Sequence, residues 1–211
     1  INNTAHHNTG GILIFDLPNL PQQGGHDILV KNNKVINNDT PNFAPEGNIV
    51  GKTPNGTGIM VMANENVILE ENFIEGNATA GILVVSYLEE YEDDKYNPLP
   101  NRIYITNNQL NNNGYSVDSK RAEPIAFLTK DKAPEIIWDG VTNFPEWLGL
   151  KKQERLILGD NRTKGGKTDM INLNLMTYAL LPWYHEPKVN YDDYKGEKIP
   201  ITPVKFEKIW Q

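Results

Sequence analysis

The chain has 211 residues, enough for one well-buried core without demanding a second domain. Its 20 basic and 27 acidic side chains give a net charge of −7, which argues against a nucleic-acid partner, because phosphate binding needs a basic footprint. No run is long enough and apolar enough to cross a bilayer, and the absence of cysteine excludes disulfides and thiolate metal sites.

Asparagine is over-represented, with 27 residues, many in doublets or triplets. The doublets are punctuated by β-branched residues at regular offsets, which argues against a disordered tract. Asparagine tolerates left-handed backbone and bonds its own chain, so it suits sharp corners between short strands. Read from the N-terminus, the pattern Asn-x-Φ-x-x-Asn, with Φ apolar or alanine, recurs at Asn3/Ala5/Asn8, Asn33/Val35/Asn38, Asn72/Ile74/Asn77 and Asn108/Leu110/Asn113. Alternating strands precede three of these corners: Asp27-Ile-Leu-Val-Lys, Asn66-Val-Ile-Leu-Glu and Arg102-Ile-Tyr-Ile-Thr. After the corners come Gly11-Ile-Leu-Ile-Phe, Gly58-Ile-Met-Val-Met, Gly81-Ile-Leu-Val-Val and Pro124-Ile-Ala-Phe-Leu. The second and third of these copies lie 23 residues apart. A period in the low twenties predicts an all-β solenoid, a right-handed parallel β-helix whose stacked turns share one core.

Equivalent asparagines lie 30, 39 and 36 residues apart, so the surplus is expected as loops at 16–26, 39–56, 87–101 and 115–123. Turns of the β-helix are expected over residues 1–142, with N-terminal turns missing because the chain opens inside the repeat at Ile1. One or two irregular turns follow over 143–175, where "EIIWDGV" (135–141), "RLILGDN" (155–161) and "INLNL" (171–175) read as strands. An extended capping tail is expected over 176–211.

Alternation assigns Ile12/Ile14, Ile59/Val61, Ile82/Val84 and Ile125/Phe127 to the interior. It turns Leu13/Phe15, Met60/Met62, Leu83/Val85 and Ala126/Leu128 outward, with no charge among them. A strand apolar on both sides is buried on both, so this stripe needs a cover. The candidates are the tail around Leu180-Leu-Pro-Trp-Tyr, the 41–56 loop, or a partner subunit or ligand. Loops 16–26 and 87–101 leave flanking turns of the same strand type, while the turn between them leaves through the short corner at 63–66. The expected result is two walls with a gap floored by Met62 and Asn64. A ligand or partner surface is accordingly placed at Asp16, His26, Met60, Met62, Asn64, Tyr87, Glu90 and Tyr91.

No catalytic constellation stands out. His6-His7 and His26 lack metal-ligand spacing, and the acidic run 89–94 lacks the spacing of a calcium loop, so no cofactor is assigned and Ca²⁺ has no motif behind it. Asp16, Asp139, Lys31 and Arg102 are the residues a polysaccharide-processing site could draw on, again without a motif. "RTKGGKT" (162–168) lacks the spacing of a phosphate loop.

"HNTGGILIFDLPNLP", "NNDTPNFAPEGNIVGKTPNGTGIMVMA" and "NATAGILVVSY" together resemble a family of bacterial parallel β-helix repeat proteins. The resemblance covers roughly residues 1–142. It implies an exported protein of the periplasm, cell surface or medium, of a kind often encoded beside c-type cytochromes, with an earlier stretch of chain and a leader peptide preceding Ile1. The family's activity is unsettled, so no catalytic residues carry over. The functional expectation is a non-catalytic envelope protein binding a partner protein or a glycan through its loops and apolar face. The alternatives are a lyase or epimerase acting on acidic polysaccharides, and a structural subunit of a surface assembly.

Overall fold

A computed structural model describes residues 1–45, 47–130, 132–152, 154–198 and 200. In chain order its elements are β1 (Thr4–His6), β2 (Gly10–Phe15), β3 (His26–Lys31), β4 (Lys34–Ile36), β5 (Thr57–Met62), β6 (Glu65–Glu70), β7 (Phe73–Glu75), β8 (Ala80–Val85), β9 (Asn101–Thr106) and β10 (Gln109–Asn111). Then follow helix α1 (Glu123–Thr129), β11 (Ile136–Trp138), α2 (Phe144–Trp147), β12 (Leu156–Leu158), β13 (Arg162–Thr163), β14 (Gly166–Lys167), β15 (Met170–Asn172) and α3 (Leu175–Leu180).

The strands form three sheets. The first has the order β1-β4-β7-β10-β13-β14, the second β15-β11-β8-β5-β2, and the third β12-β9-β6-β3. Every pairing is parallel except the hairpin of β13 with β14. In the second sheet Ile12, Ile59, Ile82 and Ile136 are register partners in one file, as the repeat requires. Their neighbours Ile14, Val61, Val84 and Trp138 form a parallel file. These files share a core with Val35, Ile74 and Leu110 of the first sheet and with Val67, Leu69, Ile103 and Ile105 of the third. Fully burying one such side chain contributes about 1.5–3 kcal/mol.

The expectation of an all-β right-handed parallel β-helix, a solenoid, is corrected. The chain builds three mostly parallel sheets of four to six strands with helices between them, not one closed solenoid, and is nearer the α/β type. Pro124-Ile-Ala-Phe-Leu imitates the Gly-Ile strand motif but lies in α1, where proline suits the first helical turn. Phe127, assigned to the interior, is 77% exposed there. The strand that continues the second sheet is β11, which "EIIWDGV" does contain. Near the C-terminus, β14 turns back antiparallel and ends the first sheet.

The asparagine doublets divide their labour. In Asn32-Asn33, Asn37-Asn38, Asn107-Asn108 and Asn112-Asn113 the first residue takes a left-handed corner, with φ between 52° and 57°. The second turns inward, and its side-chain oxygen accepts from the asparagine of the neighbouring strand: Asn38 from Asn8, Asn77 from Asn38, Asn113 from Asn77. A second ladder runs through Asn3, Asn33, Asn72, Asn108 and Asn161.

Candidate functional site

The outward stripe of the second sheet forms a second buried cluster, and the chain itself covers it. Leu13, Phe15, Met60, Met62, Leu83 and Val85 meet Ile49, Tyr87, Tyr96, Ala122, Ile125 and Leu128. Part of the cover is the 41–56 loop, through the 3-10 turn Ile49–Lys52. Helix α1 and the loop after β8 supply more. The Leu180–Tyr184 segment does not serve: Leu180, Trp183 and Tyr184 are exposed.

The cover leaves a cavity of about 230 Å³. Met60, Met62, Leu83 and Val85 floor it, Phe15, Ile49 and Tyr87 form side walls, and Pro124 and Ile125 bring α1 to its far side. The Lys52 ammonium and the Glu89 carboxylate pair at 2.7 Å on its lining, each about half exposed. Arg121 fixes the wall geometry: its Nε donates to the Gly51 carbonyl at 2.8 Å and its Nη1 meets Asp118 Oδ2 at 3.4 Å. The 3-10 turn is thereby held against the start of α1.

Polar atoms enter this apolar space where strands of the second sheet end. Ser86 follows β8 and Asp139 follows β11. Asp139 is 2% exposed; Oδ2 accepts the Ser86 N–H at 2.6 Å and Oδ1 the Val141 N–H at 3.0 Å. Burial dominates and pushes its carboxyl up to about 6, against the opposing effect of those donors and of Arg155. The buried hydroxyl oxygen of Thr53, a residue of the lining, has no partner with hydrogen-bond geometry among the described residues, while the Ser86 hydroxyl lies beside the Asp139 carboxylate. Such an orphaned group is costly in a dry interior and calls for a water or a ligand.

The raised Asp139 carboxyl makes stability depend on pH. An unfolded aspartate titrates near 3.9, so over the range from there to about 6 the folded state binds the extra proton. Stability contributed by the protonated form is full below about pH 4 and is lost as pH rises through 6. Glu135, also raised by burial, adds to the same trend. Urea midpoints measured between pH 4.5 and 7 should fall with pH, and Asp139→Asn should flatten that slope. An unchanged slope in the variant would refute this account of Asp139.

The eight residues singled out from the sequence divide between two places. Met60, Met62 and Tyr87 line the cavity. Asp16, His26, Asn64, Glu90 and Tyr91 do not. Asp16 is buried and locked, accepting from the backbone of Leu17, Gly24 and Gly25. Asn64 is buried beneath Gly25 and donates to the Met62 carbonyl. His26 is exposed and meets Asp27 at 2.9 Å. Glu90 is exposed, and Tyr91 packs edge-on against Tyr87 and Tyr96.

The two expected walls are tied together. Asp93 accepts from the Asn19 N–H at 2.7 Å and from the Gln23 side chain, while the Tyr96 hydroxyl donates to the Asp16 carbonyl at 2.8 Å. A recess does remain between them, lined by Asn19, Gln23, Gly24, Asp93 and Lys95, but Met62 and Asn64 do not floor it, and the apolar cavity lies one loop over, toward α1. Thr53, Ser86 and Arg121 were not read from the sequence. The available signal was position, since a polar residue follows the second-sheet strand at Asp16, Ser86 and Asp139 alike.

Elsewhere, Lys31 is held between Glu70 and Glu71 at 2.9 and 3.0 Å. His6 and His7 are exposed and share a 2.9 Å contact between their Nδ1 atoms. Among the described residues no group of three or more side chains could hold a metal ion, and no helix is long and apolar enough to cross a membrane.

No family model matches the chain, and no curated protein or solved structure is detectably similar to it. The resemblance to bacterial repeat proteins, with the exported setting it implies, therefore rests on the quoted residues alone.

Proposed function

We propose that the chain is a non-catalytic binding protein, and that the cavity over the second sheet receives a compact apolar group carrying a hydrogen-bonding head. The observation that supports this most is the apolar floor made by Met60, Met62, Leu83 and Val85 with the polar residues Thr53, Ser86 and Asp139 on the same lining. An apolar body with a few convergent polar groups is the usual composition of a small-molecule site. Methionines add adaptability of shape. Asp139, at the same site, favours a donor or cationic head over an anionic one.

Polysaccharide processing fits this geometry less well. A cavity of about 230 Å³ is too small for consecutive sugar residues. The basic side chains along it, Lys52 and Arg121, are engaged with Glu89 and Asp118. Asp16 and Lys31, which such chemistry could have used, are locked in structural contacts away from the cavity.

The test compares three probes with one body and different heads: 2-phenylethylamine, 2-phenylethanol and 3-phenylpropionate. At about 0.5 kcal/mol per non-hydrogen atom, the amine reaches roughly −4.5 kcal/mol, a sub-millimolar Kd. Saturation-transfer NMR should rank the amine first and the carboxylate last, and Val85→Trp, which fills the floor, should abolish binding. Equal binding of all three, or binding that survives Val85→Trp, would overturn the proposal.

A further inference from the structure

A second apolar space adjoins the cavity. Helices α1 and α3 form a groove of about 590 Å³, lined by Phe127 and Leu128 of α1, by Met176, Tyr178 and Ala179 of α3, and by Val141. Phe127 and Tyr178 are more than half exposed there. Apolar residues scattered singly over a surface need no explanation, but apolar residues gathered in one concave place mark a binding surface.

The groove and the cavity are continuous, because Leu88, Pro124 and Leu175 line both. Asp139 holds this junction together. Its carbonyl accepts the Leu175 N–H at 2.9 Å, and its Oδ1 accepts the N–H of Val141, a groove residue, at 3.0 Å. Alone, the cavity of about 230 Å³ falls below the roughly 300–1,000 Å³ usual for small-molecule sites; with the groove attached, the space reaches that range.

The groove offers apolar surface and little hydrogen bonding. Its polar side chains are Glu123, Tyr178 and His185, and His185 is spent on the Leu173 carbonyl at 2.7 Å. The walls are helices, so no open strand edge is present for an extended peptide to bond. Sugars, with a hydroxyl on most carbons, find few partners along it. A partner helix, about 10 Å across, can lie on the groove but cannot enter the cavity. A flexible hydrocarbon chain fits both.

We infer that the molecule received in the cavity is a linear aliphatic amphiphile, with its donor or cationic head in the cavity and its chain running past Leu88, Pro124 and Leu175 into the groove. This rests on the cavity reading proposed above and names the class of ligand that the reading leaves open.

The test compares n-hexylamine and n-decylamine by titration calorimetry, below the concentration at which decylamine aggregates, with 2-phenylethylamine as the probe of the cavity alone. A methylene moved from water into apolar surroundings is worth roughly fourfold in affinity. Because the groove is half open, decylamine should bind at least about tenfold more tightly than hexylamine, less than full burial would give. Ala179→Trp, at an exposed helical position, fills the groove. It should bring decylamine down to the level of hexylamine and leave both short amines unchanged, whereas Val85→Trp should remove binding of all three. If the short amines bind but decylamine is no tighter, or is indifferent to Ala179→Trp, the groove inference is overturned and the cavity reading stands. If no amine binds the intact chain, both fall. Dimerisation of the chain that Ala179→Trp abolishes would assign the groove to a second copy and overturn the inference.

Discussion

Asn77→Leu should cost about 4 kcal/mol of folding stability. Asn77 is fully buried. Its side-chain oxygen accepts from the backbone and side chain of Asn38 at 3.1 and 3.0 Å, and its amide donates to Asn113 Oδ1 and the Val35 carbonyl at 2.8 and 3.2 Å. Leucine branches at the same carbon with the same number of side-chain heavy atoms, so the change removes hydrogen bonds and opens no cavity, its bulkier methyls adding some crowding. It strands the Asn38 N–H and one Nδ2 hydrogen of Asn38 in the interior, and each unsatisfied buried group costs about 1–3 kcal/mol. Asn8 sits at the exposed end of the same ladder, where water replaces lost partners, so Asn8→Ala should cost less than about 1 kcal/mol. Urea unfolding of the two variants measures the contrast; similar losses at the two sites would show that ladder position does not matter.

Gly58→Ala is expected to cost about 3 kcal/mol, through close approach and not through backbone freedom. A Cβ at Gly58 would lie 3.0 Å from Asn77 Nδ2 and 3.1 Å from Ile74 Cγ2, and nearer still to the Gly81 carbonyl oxygen. That oxygen belongs to the adjacent β8, so relief requires moving a strand paired on both sides, and overpacking of this kind costs about 1–3 kcal/mol even in yielding cores. Gly11 faces the Gly58 carbonyl in the same way, at 2.6 Å, and a Val35 methyl at 2.5 Å, but among the described strands β2 is paired on one side only and can move outward. Gly11→Ala should accordingly lose a third of that or less. Thermal and urea unfolding of both variants provide the measurement, and a neutral Gly58→Ala would contradict the packing described here.

These two contrasts explain what the recurring Gly-Ile motif encodes. Gly11, Gly58 and Gly81 stand one over another because the next strand passes beneath each, and the file ends at Glu135, the register neighbour of Gly81. Glu135 turns its carboxylate to Asn113 Nδ2 at 2.5 Å and so finishes the ladder that asparagines began. Pro124 stands before the next Ile-containing run in place of a fourth glycine, and a helix forms there.

The candidate site was half legible. Met60, Met62 and Tyr87 follow from outward alternation and loop length alone, because strand geometry fixes which side a residue faces. Asp16 and Asn64 share that placement but are consumed by hydrogen bonds to backbone, Asp16 to the Gly24 N–H and Asn64 to the Met62 carbonyl at the end of β5. No local pattern distinguishes a carboxylate that holds a turn from one that lines a cavity.

By itself the sequence determined the register: which isoleucines share a file, which asparagines share a ladder, and that one outer face is too apolar to stay bare. Those features obey short periods, and a period is a local property of the chain. Tertiary structure alone decided the fold type, what covers that face, and where the cover leaves room. The segments that provide it, residues 49–54, 86–96 and α1, are aperiodic, and their positions depend on Arg121, Asp118 and Asp93 meeting residues distant in the chain.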